Sequence, residues 1–114
     1  MKRVFIGIVS AVALVAFAGA ASAQDKVAKG QQVYADQKCQ MCHSIAGKGN
    51  PKGALDDVGS KLKAEEIREW IVDSAKMAAA AKADRKPAMP AKYKDLPKDD
   101  VDALVAYLST LKKK

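Results

Sequence analysis

The segment Cys39-Gln40-Met41-Cys42-His43 concentrates the chemistry of this chain, because both cysteines and the single histidine fall within five residues. Two thiols three positions apart, at the end of a helix, can reach the two vinyl groups on one edge of a porphyrin. The adjacent imidazole then falls beneath the metal, and C-x-x-C-H is the pattern by which haem is attached through thioethers. Such a tether keeps the cofactor even when its iron ligands exchange. Three other readings of the pair stand beside this one. A disulfide between Cys39 and Cys42 would close a very small loop and stabilise little. A dithiol redox pair needs a βαβ setting, for which the chain shows no alternating strand pattern of useful length. A zinc site needs a fourth ligand, and His43 is the only histidine.

Three stretches with helical periodicity are expected to position this segment. The first runs roughly from Asp25 to Gln37, with Val27, Gly30 and Tyr34 as its inner face and Asp25 near the positive end of the helix dipole. The second runs from about Leu62 to Ala75. It places Ile67, Trp70, Ile71 and Ser74 three and four apart, opposite Glu65, Glu66, Glu69 and Asp73. The Ala-rich run Met77 to Ala83 favours a short helical continuation. The third begins with Pro97 as its first helical residue and carries the stripe Val101, Leu104, Val105, Leu108 and Leu111, closed by Lys112, Lys113 and Lys114. Gly47 to Gly59 reads as loop, and Pro87 and Pro90 forbid a regular helix between Arg85 and Leu96. The fold class is therefore all-α.

With 114 residues the chain has room for one small domain. Its apolar content is uneven. Both phenylalanines, Phe5 and Phe17, lie near the amino terminus, and alanine makes up much of the apolar remainder. A core this thin, in a domain this small, suggests that something other than side chains fills the middle. Residues 1–23 read as a secretory signal: Lys2 and Arg3 precede the apolar run Val4 to Ala20, and Ala21-Ser22-Ala23 gives the small-x-small cleavage pattern. Retention of that run as a membrane anchor is the competing reading, with a length at the short limit for a span. Cleavage leaves 24–114 as one exported, soluble domain, expected in the periplasm, with no stable membrane insertion. The formal net charge is +7, of which Lys2 and Arg3 supply two units.

Across essentially the whole of 24–114 the sequence resembles the small monohaem class I c-type cytochromes of bacteria. The resemblance rests on Cys39, Cys42 and His43, on Gly30 and Tyr34 in the first helix, and on Leu104 and Tyr107 in the last. It implies the class I cytochrome c fold, with three main helices, a short helix and loops around one covalent haem c. A glycine at the helix crossing lets two backbones approach closely, so those four helix residues shape the fold and do no chemistry. The resemblance also implies a methionine as the second iron ligand, opposite His43. Met41 lies inside the attachment motif and cannot reach the opposite face, and Met77 sits in a helical stretch where Met usually fills core. Met89 lies in Lys86-Pro87-Ala88-Met89-Pro90, a Pro-flanked loop 46 residues after His43, as the family places its axial ligand. A proline near the second helix commonly presents a carbonyl to the proximal histidine in this family. Here the corresponding position is Ala54 or a neighbour. Trp70 is read either as a donor to a haem propionate or as packing, with Tyr93 as a second such candidate.

Iron ligated by both His43 and Met89 has no vacant position for a substrate, so the expected function is one-electron transport rather than catalysis. A ligand-binding or peroxidase-like protein, which requires Met89 to be off the iron, and a haem subunit of a larger respiratory complex are the alternatives. From Lys82 to Lys98 six cations (Lys82, Arg85, Lys86, Lys92, Lys94, Lys98) outnumber Asp84 and Asp95 around Met89. That excess points to redox partners with acidic docking surfaces, although solvated lysines also keep small proteins soluble. Nucleic acid is a poor partner for a chain expected to be exported. A carrier that docks transiently is expected to be a monomer.

Overall fold

The stripe Val101, Leu104, Val105 and Leu108 becomes the buried face of the last helix and meets Val33, Tyr34, Ile67 and Ile71 in one core. In a computed structural model, residues 11–83 and 86–113 are described, with side chains from residue 23 onward. The elements run α1 (Ala11–Asp36), a 3-10 turn (Cys39–Met41), β1 (Ser44–Ile45), β2 (Lys48–Gly49) and a second 3-10 turn (Pro51–Gly53). They continue with α2 (Val58–Lys61), α3 (Ala64–Val72), α4 (Ser74–Ala81), a 3-10 stretch (Ala91–Asp95) and α5 (Lys98–Ser109). Among the described residues the structure is thus mostly helical, as the periodicity indicates.

The scaffold is the crossing of α1 on α5, with α3 laid against α5. At the crossing a Cβ on Gly30 would strike the Ala103 carbonyl oxygen and fall 2.5 Å from Tyr107 Cβ, so only glycine allows the two backbones this close. Beside it the rings of Tyr34 and Tyr107 meet edge to face, with centroids 6.1 Å apart and planes at 75°. Arg68 on α3 donates to Asp102 on α5 at 2.6 Å, and Lys98 reaches the other oxygen of that carboxylate at 3.1 Å. These hydrogen bonds, Arg68 first, hold the Asp102 carboxyl below its ordinary value.

Several boundaries differ from the periodic reading. The backbone of α1 is helical from Ala11, well before Asp25, and runs through the expected cleavage position after Ala23. Alanine, frequent in this stretch, has the highest intrinsic helix propensity. The second helix starts at Ala64 rather than Leu62, where the Lys63 amide donates to Glu66 Oε1 at 3.0 Å. It stops at Asp73, whose φ of −145° and ψ of 52° break the run, so α4 is a separate helix and Ser74 belongs to it. Pro97 caps α5 from outside with its carbonyl, which accepts from Asp100 and Val101, and the helix ends at Ser109. Lys112 and Lys113 therefore lie beyond the helix. Gly59 donates to the Leu111 carbonyl at 2.8 Å and Lys113 donates to Asp57 at 2.7 Å, drawing the tail onto α2. Lys114 lies outside the described residues.

The Gly47–Gly59 stretch is not all loop. It contains β2, the Pro51–Gly53 turn and the start of α2. Ser44 pairs with Gly49 and Ile45 with Lys48 across a turn in which Ala46 and Gly47 both have positive φ, 54° and 81°. Strands of two residues leave no alternation for a sequence pattern to register.

Candidate cofactor site

Lys38 adopts a left-handed conformation, φ 58° and ψ 37°, and turns the chain from α1 into the cysteine segment. The turn is closed on itself: the Cys42 and His43 amides both donate to the Cys39 carbonyl, at 3.1 and 2.9 Å. A second strand of contacts then clamps it from the hairpin side. The Asn50 amide donates to the carbonyls of Gln40 and His43, at 3.1 and 3.0 Å, and the Asn50 side chain donates to the Met41 carbonyl at 3.3 Å. Gly49 makes this approach possible, since with φ at 111° its Cβ would collide with the His43 carbonyl. The sequence reading missed both residues. An Asn before Pro51 in a glycine-rich turn signals a cap, and Asn50 does accept from Lys52 at 3.0 Å, but nothing local announces its hold on the cysteine segment.

His43 Nδ1 lies 2.9 Å from the Gly53 carbonyl. The acceptor is thus Gly53, the neighbour that precedes Ala54, within the expected stretch. The Pro51–Gly53 turn sets Gly53 beside the ring, while Ala54 is engaged as a bridge partner of Ser44. With Nδ1 as donor, the ring lone pair resides on Nε2, the arrangement that metal-ligating histidines show.

Two apolar cavities, of about 400 and 240 Å3, adjoin this ring. Cys39, His43, Trp70, Met89 and Tyr93 line both of them. Cys42 joins on the smaller cavity, while Tyr34, Leu55, Ile67 and Leu104 wall the larger. The fold thus brings together every candidate site residue. Met77 borders neither cavity, and Met41 is 69% exposed to solvent. Trp70, half-buried between Ile67 and Ile71, presents its indole to this space from α3.

The donor set and its surroundings suit a haem. Burial pushes the Cys39 thiol up to about 11, so it is neutral near neutral pH among these apolar walls. A neutral thioether is compatible with those walls. Burial likewise pushes the Tyr34 phenol up to about 12 and raises that of Tyr93, so the aromatic wall carries no charge near neutral pH. The Tyr34 hydroxyl is buried and finds no protein partner among the described residues, a polar atom that the polypeptide leaves unsatisfied at the cavity wall. Among the described residues no cluster of three or more His, Cys, Asp or Glu side chains is arranged for a metal ion.

Helices crossed on a glycine, a C-x-x-C-H turn and an apolar cleft next to its histidine define a small helical haem protein. Comparison with known proteins carries this further. The cytochrome c family matches residues 27–112, and the chain belongs to it, as a class I c-type cytochrome: a haem-based electron carrier. Over 93 residues the chain is 30% identical to Cytochrome c oxidase subunit 2 of Alkalihalophilus pseudofirmus, an alignment covering 74% of this chain and 25% of that protein. The chain therefore matches about a quarter of that relative's length. No solved structure matches it. Among the described residues, no helix is long and apolar enough to cross a membrane.

Proposed function

We propose that this chain is a one-electron shuttle between respiratory partners, with haem c joined to Cys39 and Cys42 and its iron ligated by His43 and Met89. The observation that carries this reading is that His43 and Met89 border the same two cavities as Cys39. Bound there, haem supplies a ferrous–ferric couple. The polypeptide tunes and shields that couple. A methionine sulfur is a weak donor that favours the ferrous state, and an apolar wall disfavours the extra charge of the ferric state. The Gly53 hydrogen bond orients the His43 ring and strengthens it as a donor. Trp70 and Tyr93 complete the wall of the cleft. Were His43 and Met89 both to hold the group in either oxidation state, the polypeptide would need to move little when an electron passes and would leave no position open for enzymatic chemistry.

An absorption spectrum of native protein in both oxidation states tests this directly. Thioether-linked haem, low-spin iron and the weak iron–sulfur charge-transfer band are expected together. Colourless material from a host that matures such proteins would end the reading.

The shuttle meets acidic partners through the basic run that flanks Met89 in the sequence. Lys82, Lys86, Lys92, Lys94 and Lys98 are all exposed, while Arg85 and Asp84 of the same run lie outside the described residues. Raising ionic strength from about 10 to 200 mM should slow electron exchange with a physiological partner by roughly 10-fold or more, because steering fields are screened beyond about 10 Å. A rate indifferent to salt rejects this surface. The same reading places the protein in the periplasm as a monomer, with residues 1–23 removed on export. Residues 1–10 of that leader lie outside the described residues.

A second reading is favoured by the relative: the domain serves as the haem-bearing part of a larger respiratory assembly. Gel filtration of a native extract separates the two, since a free shuttle elutes at its own small mass of 12.1 kDa or less.

A further inference from the structure

We infer that Ser74 is a positioning residue for the axial-ligand loop, holding Met89 in place without touching the iron. The inference rests on the reading of Met89 as the ligand. Ser74 opens α4 immediately after the break at Asp73 and is 2% exposed, the most deeply enclosed polar side chain of the described residues. Its hydroxyl donates to the Met89 carbonyl at 3.1 Å, with the Pro90 carbonyl at 3.3 Å as a second acceptor. One proton is thus shared between two successive peptide planes.

Those two planes matter because of what the loop lacks. Between Lys86 and Pro90 the chain has no repeating structure, and Pro87 and Pro90 have no amide hydrogen to give. The loop must therefore be held largely by its carbonyls. Fixing the carbonyls of residues 89 and 90 fixes the peptide on the carboxyl side of Met89, and with it the direction in which the Met89 side chain leaves the backbone. Ser74 is well placed to do this, since α4 follows directly on α3, which carries Trp70 and packs on the Ala91–Asp95 turn. A thioether is a neutral, weak donor, so its hold on a metal depends on how cheaply the loop can swing away. Proline rigidity limits the loop's internal freedom, and the serine anchors it to the helices.

The smaller residue therefore sets the resistance of the site to ligand exchange. Without the hydroxyl two partly buried carbonyls lose this donor when the loop is closed, and that loss disappears when it opens to water. The methionine-off population should rise by roughly 5- to 100-fold, the range set by the loss of one buried hydrogen bond.

Imidazole titration of the matured ferric protein reads this population, because exogenous ligand binds only where the methionine has left. Ser74→Ala is expected to bind imidazole roughly 5- to 100-fold more tightly than the parent while keeping the charge-transfer band in its absence. Val101→Ala, a core truncation on α5 away from both cavities, serves as the control for general loosening. Unchanged imidazole affinity in Ser74→Ala overturns the inference, as does equal tightening in Val101→Ala at matched loss of melting temperature. Should Ser74→Ala give no holoprotein, Ser74→Cys replaces it, with a weaker donor of similar size. Intermediate tightening supports the inference, and unchanged affinity overturns it. Met89→Ala separates the two claims. A Met89→Ala protein that keeps the charge-transfer band removes the ligand reading and this inference together, whereas band loss there with an unmoved Ser74→Ala removes only the serine's role.

Discussion

Met89→Ala is expected to abolish the iron–sulfur charge-transfer band, let the reduced protein bind carbon monoxide readily at neutral pH, and lower the reduction potential. The three effects have one cause. The side chain borders both cavities next to His43, and no other methionine of the described residues does. Met41 is bound into the attachment turn by its own carbonyl and points to solvent, while Met77 sits on α4 away from the cleft. Truncation thus leaves no sulfur to replace the one removed. Loss of a ligand that favours ferrous iron moves the potential downward within the roughly 0.8 V over which axial ligands tune haem. Electron transfer to a high-potential acceptor should fall with it. A Met89→Ala protein that excludes carbon monoxide as well as the parent does would place the second ligand elsewhere.

Gly30→Ala is the second large effect, and its sign opposes intrinsic propensity. In an exposed helix interior this change stabilises by about 1 kcal/mol. Here the added carbon meets the Ala103 carbonyl and lies 2.8 Å from its carbon, and both atoms are backbone, with no rotamer by which to yield. The helices must separate, and the edge-to-face contact of Tyr34 with Tyr107 loosens with them. Overpacking of this kind costs about 1–3 kcal/mol, and a rigid backbone neighbour puts it at the upper end. For a domain of this size that is a fall in melting temperature of roughly 10–20 °C. Lys29→Ala, one residue away and paired only at the surface with Asp100, should cost less than about 1 kcal/mol. Thermal melts of the matured proteins decide the matter: variants that melt together would show that α1 and α5 do not approach as described.

The attachment turn was legible because its chemistry is local. Cys39, Cys42 and His43 must lie within one turn to meet one porphyrin edge, so their spacing is itself the geometry. The buried faces of α3 and α5 were legible for a similar reason, since Ile67, Ile71, Val101, Leu104 and Leu108 repeat at the helical period and all reach the core. Helix ends were less so. The stop at Asp73 and the early end of α5 come from backbone dihedrals and from the pull of Asp57 and Gly59 on the tail, contacts made across more than fifty residues.

What the sequence determined alone is the class of cofactor, the helical frame and a short choice of sulfurs for the second axial position. Tertiary structure decided which carbonyl faces His43, that Asn50 and Gly49 clamp the cysteine turn, and that Ser74 reaches the Met89 loop. The division follows from range. A motif within one turn encodes its own geometry, but a hydrogen bond between residues 74 and 89 depends on where two helices and a proline loop come to rest, which no spacing along the chain records.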